Sequence, residues 1–183
     1  MKHLGTKTIQ TERLVLRKFE LSDAKYMYQN WAADTDVTKY MSWLPHTGIK
    51  DSEDYIKSLI LDYDKNNVYN WAIVLKEINQ PIGAISAVEV DDKTEKIHIG
   101  YCISKKFWHC GITSEALKAL IDFFFFEVGV NRIESMHNPE NVNSGKVMQK
   151  CGMKYEGTLR DYYKDNQGIV DAAFYGILRR DLE

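Results

Sequence analysis

KIHIGYCISKKFWHCGITSEALKALIDFFFFEVGVNRIESMH, residues 96–137, decides how this chain folds. Lys96 to Ile103 reads as a strand. From Thr113 to Val128 the pattern turns helical, and it is apolar over much of its circumference, through Ala116, Leu117, Leu120, Ile121 and Phe123 to Phe126. Such a helix must pack on a sheet on one side and on further structure on another. The phenylalanine run therefore reads as the buried side of that helix rather than as a lipid or partner surface. Asn131 to His137 returns to strand.

Upstream, Arg13 to Phe19 alternates enough for a first strand. Ser22-Asp23 reads as an N-cap opening a helix from Ala24 to Ala33, and Pro45 and Gly48 mark a turn. Asp51 to Asp54 places acid at the positive end of a second helix, which carries Ile56, Leu59, Ile60 and Tyr63. Trp71–Leu75 and Pro81–Val88 form a hairpin around Asn79-Gln80, and a turn at Asp91–Lys93 leads back to Lys96. Downstream, Asn141 to Cys151 is a short helix that Gly152 ends as a left-handed cap. Two strands follow, near Met153–Tyr163 and Val170–Leu178. No repeat, low-complexity tract or linker interrupts this order. Strands first, then strand–helix–strand–helix–strand–strand, predicts an α+β fold with a mixed sheet.

The 183 residues suit one domain, 1–183. At this length roughly 70% of the unfolded chain's surface can be buried, so no staple is required. Lys and Arg number 24 against 26 Asp and Glu, a formal charge of −2. This balance speaks against a nucleic-acid partner, which selects for a basic excess. Cys102, Cys110 and Cys151 are scattered, odd in number and without a CxxC pair, which fits a reducing compartment. Residues 1–12 lack an apolar signal core, and Ile121–Phe126 is far too short to span a bilayer. A cytoplasmic protein with no membrane partner is the expectation.

Two segments carry chemistry. Lys105-Lys-Phe-Trp-His-Cys-Gly-Ile-Thr-Ser-Glu-Ala-Leu117 joins a strand end to the start of the long helix. A helix N-terminus offers unpaired N–H groups and a positive dipole end, suited to a pyrophosphate. Gly111 lets backbone approach phosphate oxygens, and Thr113 or Ser114 adds a hydroxyl; the plainer reading is an ordinary capped helix. Asn138-Pro-Glu-Asn-Val-Asn-Ser-Gly-Lys-Val-Met-Gln-Lys-Cys-Gly-Met153 again runs from a strand end into a helix. Asn141 and Ser144, three apart, lie near one another at its first turn; alone, they read equally as an N-cap and its N3 neighbour.

In order and together, these segments resemble the GNAT acetyltransferase family, and within it the branch of ribosomal-protein N-terminal acetyltransferases. The family's loop, Gln/Arg-x-x-Gly-x-Gly/Ala, falls on Trp108 to Thr113. The branch form Trp-Gly-Lys-Gly-Tyr-Ala-Thr-Glu-Ala is matched by Trp108-His-Cys-Gly-Ile-Thr-Ser-Glu-Ala116. Asn141 to Ser144 and Gln149-Lys-Cys-Gly-Met153 match the branch's Asn-x-x-Ser and Glu-Lys-x-Gly-Phe. Thr11-Glu-Arg-Leu-x-Leu-Arg17, Ile99-Gly-Tyr101, Glu156-Gly-Thr-Leu-Arg160 and Val170-Asp to Tyr175 extend the likeness over nearly the whole chain.

The resemblance implies a mostly antiparallel mixed sheet of about seven strands, splayed centrally and flanked by about four helices. It implies acetyl-CoA as co-substrate, no metal, and a cleft where the family's fourth and fifth strands diverge. The pyrophosphate would meet the backbone of Trp108, His109, Cys110, Gly111, Ile112, Thr113 and Ser114. The pantetheine arm would pair like an added strand with the strand ending at Ile103, and Asn141 would touch it too. An amine, from a peptide N-terminus or a small molecule, would attack the thioester directly, without an acyl-enzyme. A catalytically silent acyl-CoA-binding module is the alternative. Homodimers are common in the branch, so self-association is a further expectation.

Direct attack needs a neutral amine, an oxyanion stabiliser and a proton for the departing thiolate. Ser144 matches the branch residue near the thioester sulfur and takes the thiolate-protonating or hydrogen-bonding role. Where the wider family carries an acidic tyrosine, this chain has Met148. For the base, His98 has the right titration range, while a structural role, a water relay, or Asp171 and Tyr175 at the acceptor end stay open. His109 and Cys110 replace small or basic loop residues, and the β-branched Thr113 replaces Gly or Ala. That narrows the phosphate approach, so binding weaker than the family norm is expected. The cysteines read as incidental, and Trp31, Tyr40 and Trp43 fall in the segment that would wall the acceptor.

Overall fold

A computed structural model describes residues 1–182. The strands are β1 (Ile9–Gln10), β2 (Leu14–Arg17), β3 (Asn70–Leu75), β4 (Gln80–Asp91), β5 (Lys96–Ile103), β6 (Arg132–His137), β7 (Lys154–Asp165) and β8 (Gly168–Leu178). They form one sheet in the order β1-β2-β3-β4-β5-β6-β8-β7. Only β5 and β6 run parallel, as strands joined through a crossover helix must. The others are antiparallel. Sequence reasoning expected about seven strands; the eighth is β1, whose two residues pair with Leu16 and Val15 and are too short to show a period.

The helices are α1 (Ala24–Met27), α2 (Thr35–Thr38), α3 (Ile49–Asp62), α4 (Ile112–Asp122) and α5 (Val142–Lys150). Single wide, π-type turns extend α1 through Tyr28–Ala32 and α4 through Phe123–Val128. The expected helices at 24–33 and 113–128 are thus each an α-helix plus a wide turn. After α4 the turn buries Phe123, Phe124 and Phe125 and leaves Phe126 66% exposed. Among the described residues, no helix is long and apolar enough to cross a membrane.

Period-2 alternation divides the sheet into two faces. Leu14, Leu16, Trp71, Ile73, Ile85, Ile97 and Ile99 pack with Leu117, Leu120, Phe124 and Met148 under α4 and α5. Ala72 and Val74 face the other way and pack with Phe19, Met27, Trp31 and Ile56 from the N-terminal helices. Burying apolar side chains at roughly 1.5–3 kcal/mol each clamps the sheet from both sides.

Between these layers the sheet forks. β5 and β6 are paired only at Lys96–Arg132, Ile97–Ile133 and His98–Glu134. At the same level the β4–β5 register shifts around Val88, between Ala87–Ile99 and Glu89–His98. Just past the fork, the Ser135 hydroxyl donates to the Ile99 carbonyl at 2.7 Å. Gly100 to Ile103 still pair with β4 and have no pairing to β6.

Candidate active site

The fork opens into a cleft of about 1060 Å³. Ile103, Trp108, His109, Gly111, Ile112, Thr113, Ser114, Asn141, Ser144 and His98 all line it; Cys110, among the expected residues, does not.

The loop at its mouth is shaped by two left-handed residues, His109 at φ 61° and Gly111 at φ 76°. Gly111 is the N-cap of α4. A Cβ there would meet nothing closer than 3.6 Å, so the backbone conformation rather than crowding calls for glycine. The first N–H groups of α4 lack intrahelical partners by construction and lie at the cleft. Trp108 donates its indole N–H to the Ile103 carbonyl at 3.1 Å, fastening the loop to the end of β5. Cys110 is exposed, and its carbonyl accepts a bond from the Arg13 guanidinium at 3.0 Å.

The start of α5 faces that loop across the cleft. Asn141 occupies its N-cap position, yet its side chain makes no capping bond. The Ser144 hydroxyl donates to the Tyr101 hydroxyl at 3.0 Å, and Tyr101 donates to the Ser144 carbonyl, also at 3.0 Å. Burial pushes the Tyr101 phenol well above its ordinary value, with the Ser144 bond opposing. Tyr101 was quoted in the sequence as part of a strand motif; its contact with Ser144, 43 residues away, has no local signal. Met148 is fully buried in the core beneath α5.

His98 lies 8% exposed at the fork. Its Nδ1 is 3.5 Å from Glu134, which also takes Lys96 at 2.9 Å and Arg132 at 2.9 Å. Burial pushes the Glu134 carboxyl up, but hydrogen bonds from His98, Lys96 and Arg132 outweigh it and hold it at about 2. The other expected candidates for the base lie elsewhere. Asp171 accepts the Asp161 N–H at 2.9 Å and so braces an irregularity in β7. Tyr175 is buried beneath α5, stacked on His137 with centroids 5.6 Å apart. His137 gives Nδ1 to the Asn138 carbonyl at 2.7 Å, and its Nε2 has no partner among the described residues. Burial lowers its pKa and keeps it neutral. A Cβ at Gly145 would stand 2.6 Å from that Nε2, so glycine lets α5 settle on the imidazole.

On the side of the N-terminal helices, Trp31, Tyr40 and Trp43 line the cleft as expected, joined by His46, Tyr55 and Asn70. Cys102 is half-buried and also lines it. The hairpin tip between β7 and β8 holds this wall. Asn166 donates through its side chain to the carbonyls of Thr38 at 2.9 Å and Trp43 at 2.8 Å, and through its N–H to Met41 at 3.1 Å. Asp36 and Glu140 are the carboxylates among the lining residues, and Asp36 is ion-paired with Lys105.

The chain as a whole has counterparts among known proteins. The GNAT acetyltransferase domain model matches residues 13–154. An N-acetyltransferase p20 of Bacillus licheniformis, described as uncharacterized, is 37% identical over 175 residues, 95% of this chain and 97% of its own length. A GNAT acetyltransferase structure from Bacillus anthracis superposes with a TM-score of 0.83 at 28% identity, covering 95% of this chain and 99% of that one. The ribosomal L7/L12 alpha-N-protein acetyltransferase RimL, solved with coenzyme A, shares the fold at a TM-score of 0.84 and 19% identity over 94% of this chain and 98% of its own. The chain belongs to the GNAT family of acetyltransferases.

Proposed function

We propose that this chain moves the acetyl group of acetyl-CoA to a primary amine by direct attack on the thioester. The observation that carries this reading is the fork. Past His98 and Glu134, the β6-facing edge of Gly100 to Ile103 has no strand partner, and a cleft of about 1060 Å³ adjoins it. An amide-rich arm fits that edge as an added strand. The Gly111 loop, with Ile112, Thr113 and Ser114 behind it, suits a pyrophosphate, and the uncommitted Asn141 amide faces the same space.

Ser144 is the group we assign to the departing thiolate. Its hydroxyl is held by Tyr101, which burial keeps protonated. To serve the sulfur the Ser144 O–H turns away from Tyr101, and the Tyr101 O–H, turning from the Ser144 carbonyl, then returns a proton to Oγ. His98, with Glu134 at its Nδ1, is our assignment for taking the amine's proton. His98→Gln should lower kcat/KM with the acetyl-CoA affinity unchanged; an unaltered kcat/KM would leave the residue a purely structural part of the fork.

The acceptor side favours a monoamine. Its wall is aromatic, and one of its two carboxylates is already neutralised by Lys105, so a polycation would find little to balance its charges. A peptide N-terminus and a small amine both satisfy this condition. The three cysteines are free, and burial pushes Cys102 up to about 12 and Cys151 up to about 11, which keeps both thiols protonated and out of the chemistry. The test is acetyl-CoA-dependent thiol release against a peptide panel and a small-amine panel. Release with one panel identifies the acceptor class, whereas acetyl-CoA binding without release from either would instead indicate a silent acyl-CoA-binding module.

A further inference from the structure

The Thr11-Glu-Arg13 motif plays no part in the reaction as derived above, although it lies 102 residues before the α4 residue that binds it. Glu115, in the first turn of α4, receives all of it. One carboxylate oxygen accepts the Thr11 hydroxyl at 2.5 Å and the Arg13 N–H at 2.9 Å, and the other accepts Arg13 Nε–H at 2.7 Å. Burial pushes Glu115 up, but the bonds from Thr11 and Arg13 outweigh it and its pKa falls, so it is a carboxylate at neutral pH. A second guanidinium nitrogen donates to the Cys110 carbonyl at 3.0 Å.

Arg13 therefore grips the loop from two sides and has one nitrogen left over. That nitrogen, Nη2, lies 3.6 Å from where a Cβ of Gly111 would stand. Lys150 Nζ, from the last turn of α5, lies 3.7 Å from the same point. Lys150 has no carboxylate within salt-bridge distance among the described residues, and it lines the cleft. Two cations from β2's approach and from α5 thus converge on the one left-handed glycine of the loop. Glu115 offsets part of the Arg13 charge, whereas Lys150 has no such partner; an anion beside Gly111 would lie within reach of both nitrogens. The loop itself, Trp108 to Thr113, carries no Lys or Arg.

We infer that Arg13 and Lys150 form a two-cation phosphate clamp at Gly111, supplying from neighbouring elements the positive charge that the loop lacks. The inference rests on the acetyl-CoA reading above. Arg13 has a second role as a positioning residue, because its bonds to Glu115 and Cys110 fix the loop against the first strands.

The test is calorimetric affinity for acetyl-CoA, 3′-dephospho-acetyl-CoA and S-acetylpantetheine, measured on wild type, Lys150→Met, Lys150→Arg and Arg13→Gln. Lys150→Met should weaken acetyl-CoA by roughly fivefold to tenfold, as expected for a charge-assisted bond discounted for solvent exposure. Lys150→Arg should restore most of this loss. The Lys150→Met penalty should vanish with S-acetylpantetheine, which carries no phosphate. If it also vanishes with the dephospho compound, the 3′-phosphate is held; if it persists there, the pyrophosphate is; both agree with the clamp. Arg13→Gln should weaken acetyl-CoA at least as much and also lower the melting temperature, since it releases Glu115. A Lys150→Met protein that binds acetyl-CoA as wild type does, or that loses S-acetylpantetheine equally, would overturn the clamp while leaving the transferase reading intact. A wild type that binds no acetyl-CoA would remove both.

Discussion

Gly111 concentrates the residue-scale account in one backbone angle. At φ 76° a β-branched side chain is strained, and its bulk would also occupy the space between Arg13 and Lys150. Gly111→Val is expected to abolish measurable acetyl-CoA binding in calorimetry while the melting temperature falls by only several degrees, the cost of the local strain; undiminished affinity would reject the loop assignment. The role proposed for Ser144 would separate binding from chemistry. Ser144→Ala should reduce kcat by about tenfold or more, within the range of general acid catalysis, with acetyl-CoA affinity changed far less. Tyr101→Phe should reproduce part of that loss, since the two hydroxyls share a bond; full activity in both variants would remove the pair from the mechanism. The place of the loop and of Ser144 on the cleft could be read from the sequence because each belongs to a short local motif beside a helix start. Tyr101, Lys150 and the bond from Arg13 to Glu115 were not, because those contacts join residues that only the finished sheet brings together.

Among the elements, the fork between β5 and β6 is held at its base by charge. Glu134 collects His98, Lys96 and Arg132, and Arg132 also binds Glu156 at 2.5 Å. The depressed pKa of Glu134 sets the sign of its pH dependence. Its stabilising contribution is complete above the ordinary value of 4.5 and is lost as pH falls from there toward about 2. Urea unfolding from pH 6 to pH 2 should show this loss, and Glu134→Gln should cost roughly 2–3 kcal/mol at neutral pH while flattening the acid dependence. An equally steep acid loss in the variant would place the titrating group elsewhere. Strands and long helices were readable because alternation and helical period persist over many residues. β1 and α2 escaped, being two and four residues long. The wide turns escaped as well, since a one-residue expansion within Tyr28–Ala32 or Phe123–Val128 leaves the apolar pattern almost unchanged.

For the molecule as a whole, the cleft has walls from opposite ends of the chain. The hairpin tip at Asn166 reaches back 123 residues to Trp43 and 128 to Thr38, tying the last strands to the aromatic wall. Asp165 anchors the same tip to the end of β6 through Asn138 at 2.8 Å. Asn166→Ala should therefore loosen the acceptor wall alone. The KM for the acceptor should rise by about fivefold, the cost of one or two lost hydrogen bonds, with the affinity for acetyl-CoA held within about twofold. A matching loss of acetyl-CoA affinity would mean that the strap supports the cofactor side instead. No spacing in the sequence announces this closure, because Asn166 lies in a turn where its residue type already has a local explanation.

All of this depends on the open edge of β5 receiving a thioester-bearing nucleotide as though it were a strand. Amide hydrogen exchange with and without acetyl-CoA measures that directly. The expected result is new protection at Gly100 to Ile103 together with Ile112 to Ser114, while β3 and β8 exchange as before. Saturating acetyl-CoA with unchanged exchange at Gly100 to Ile103, or with protection confined to another surface, would contradict it.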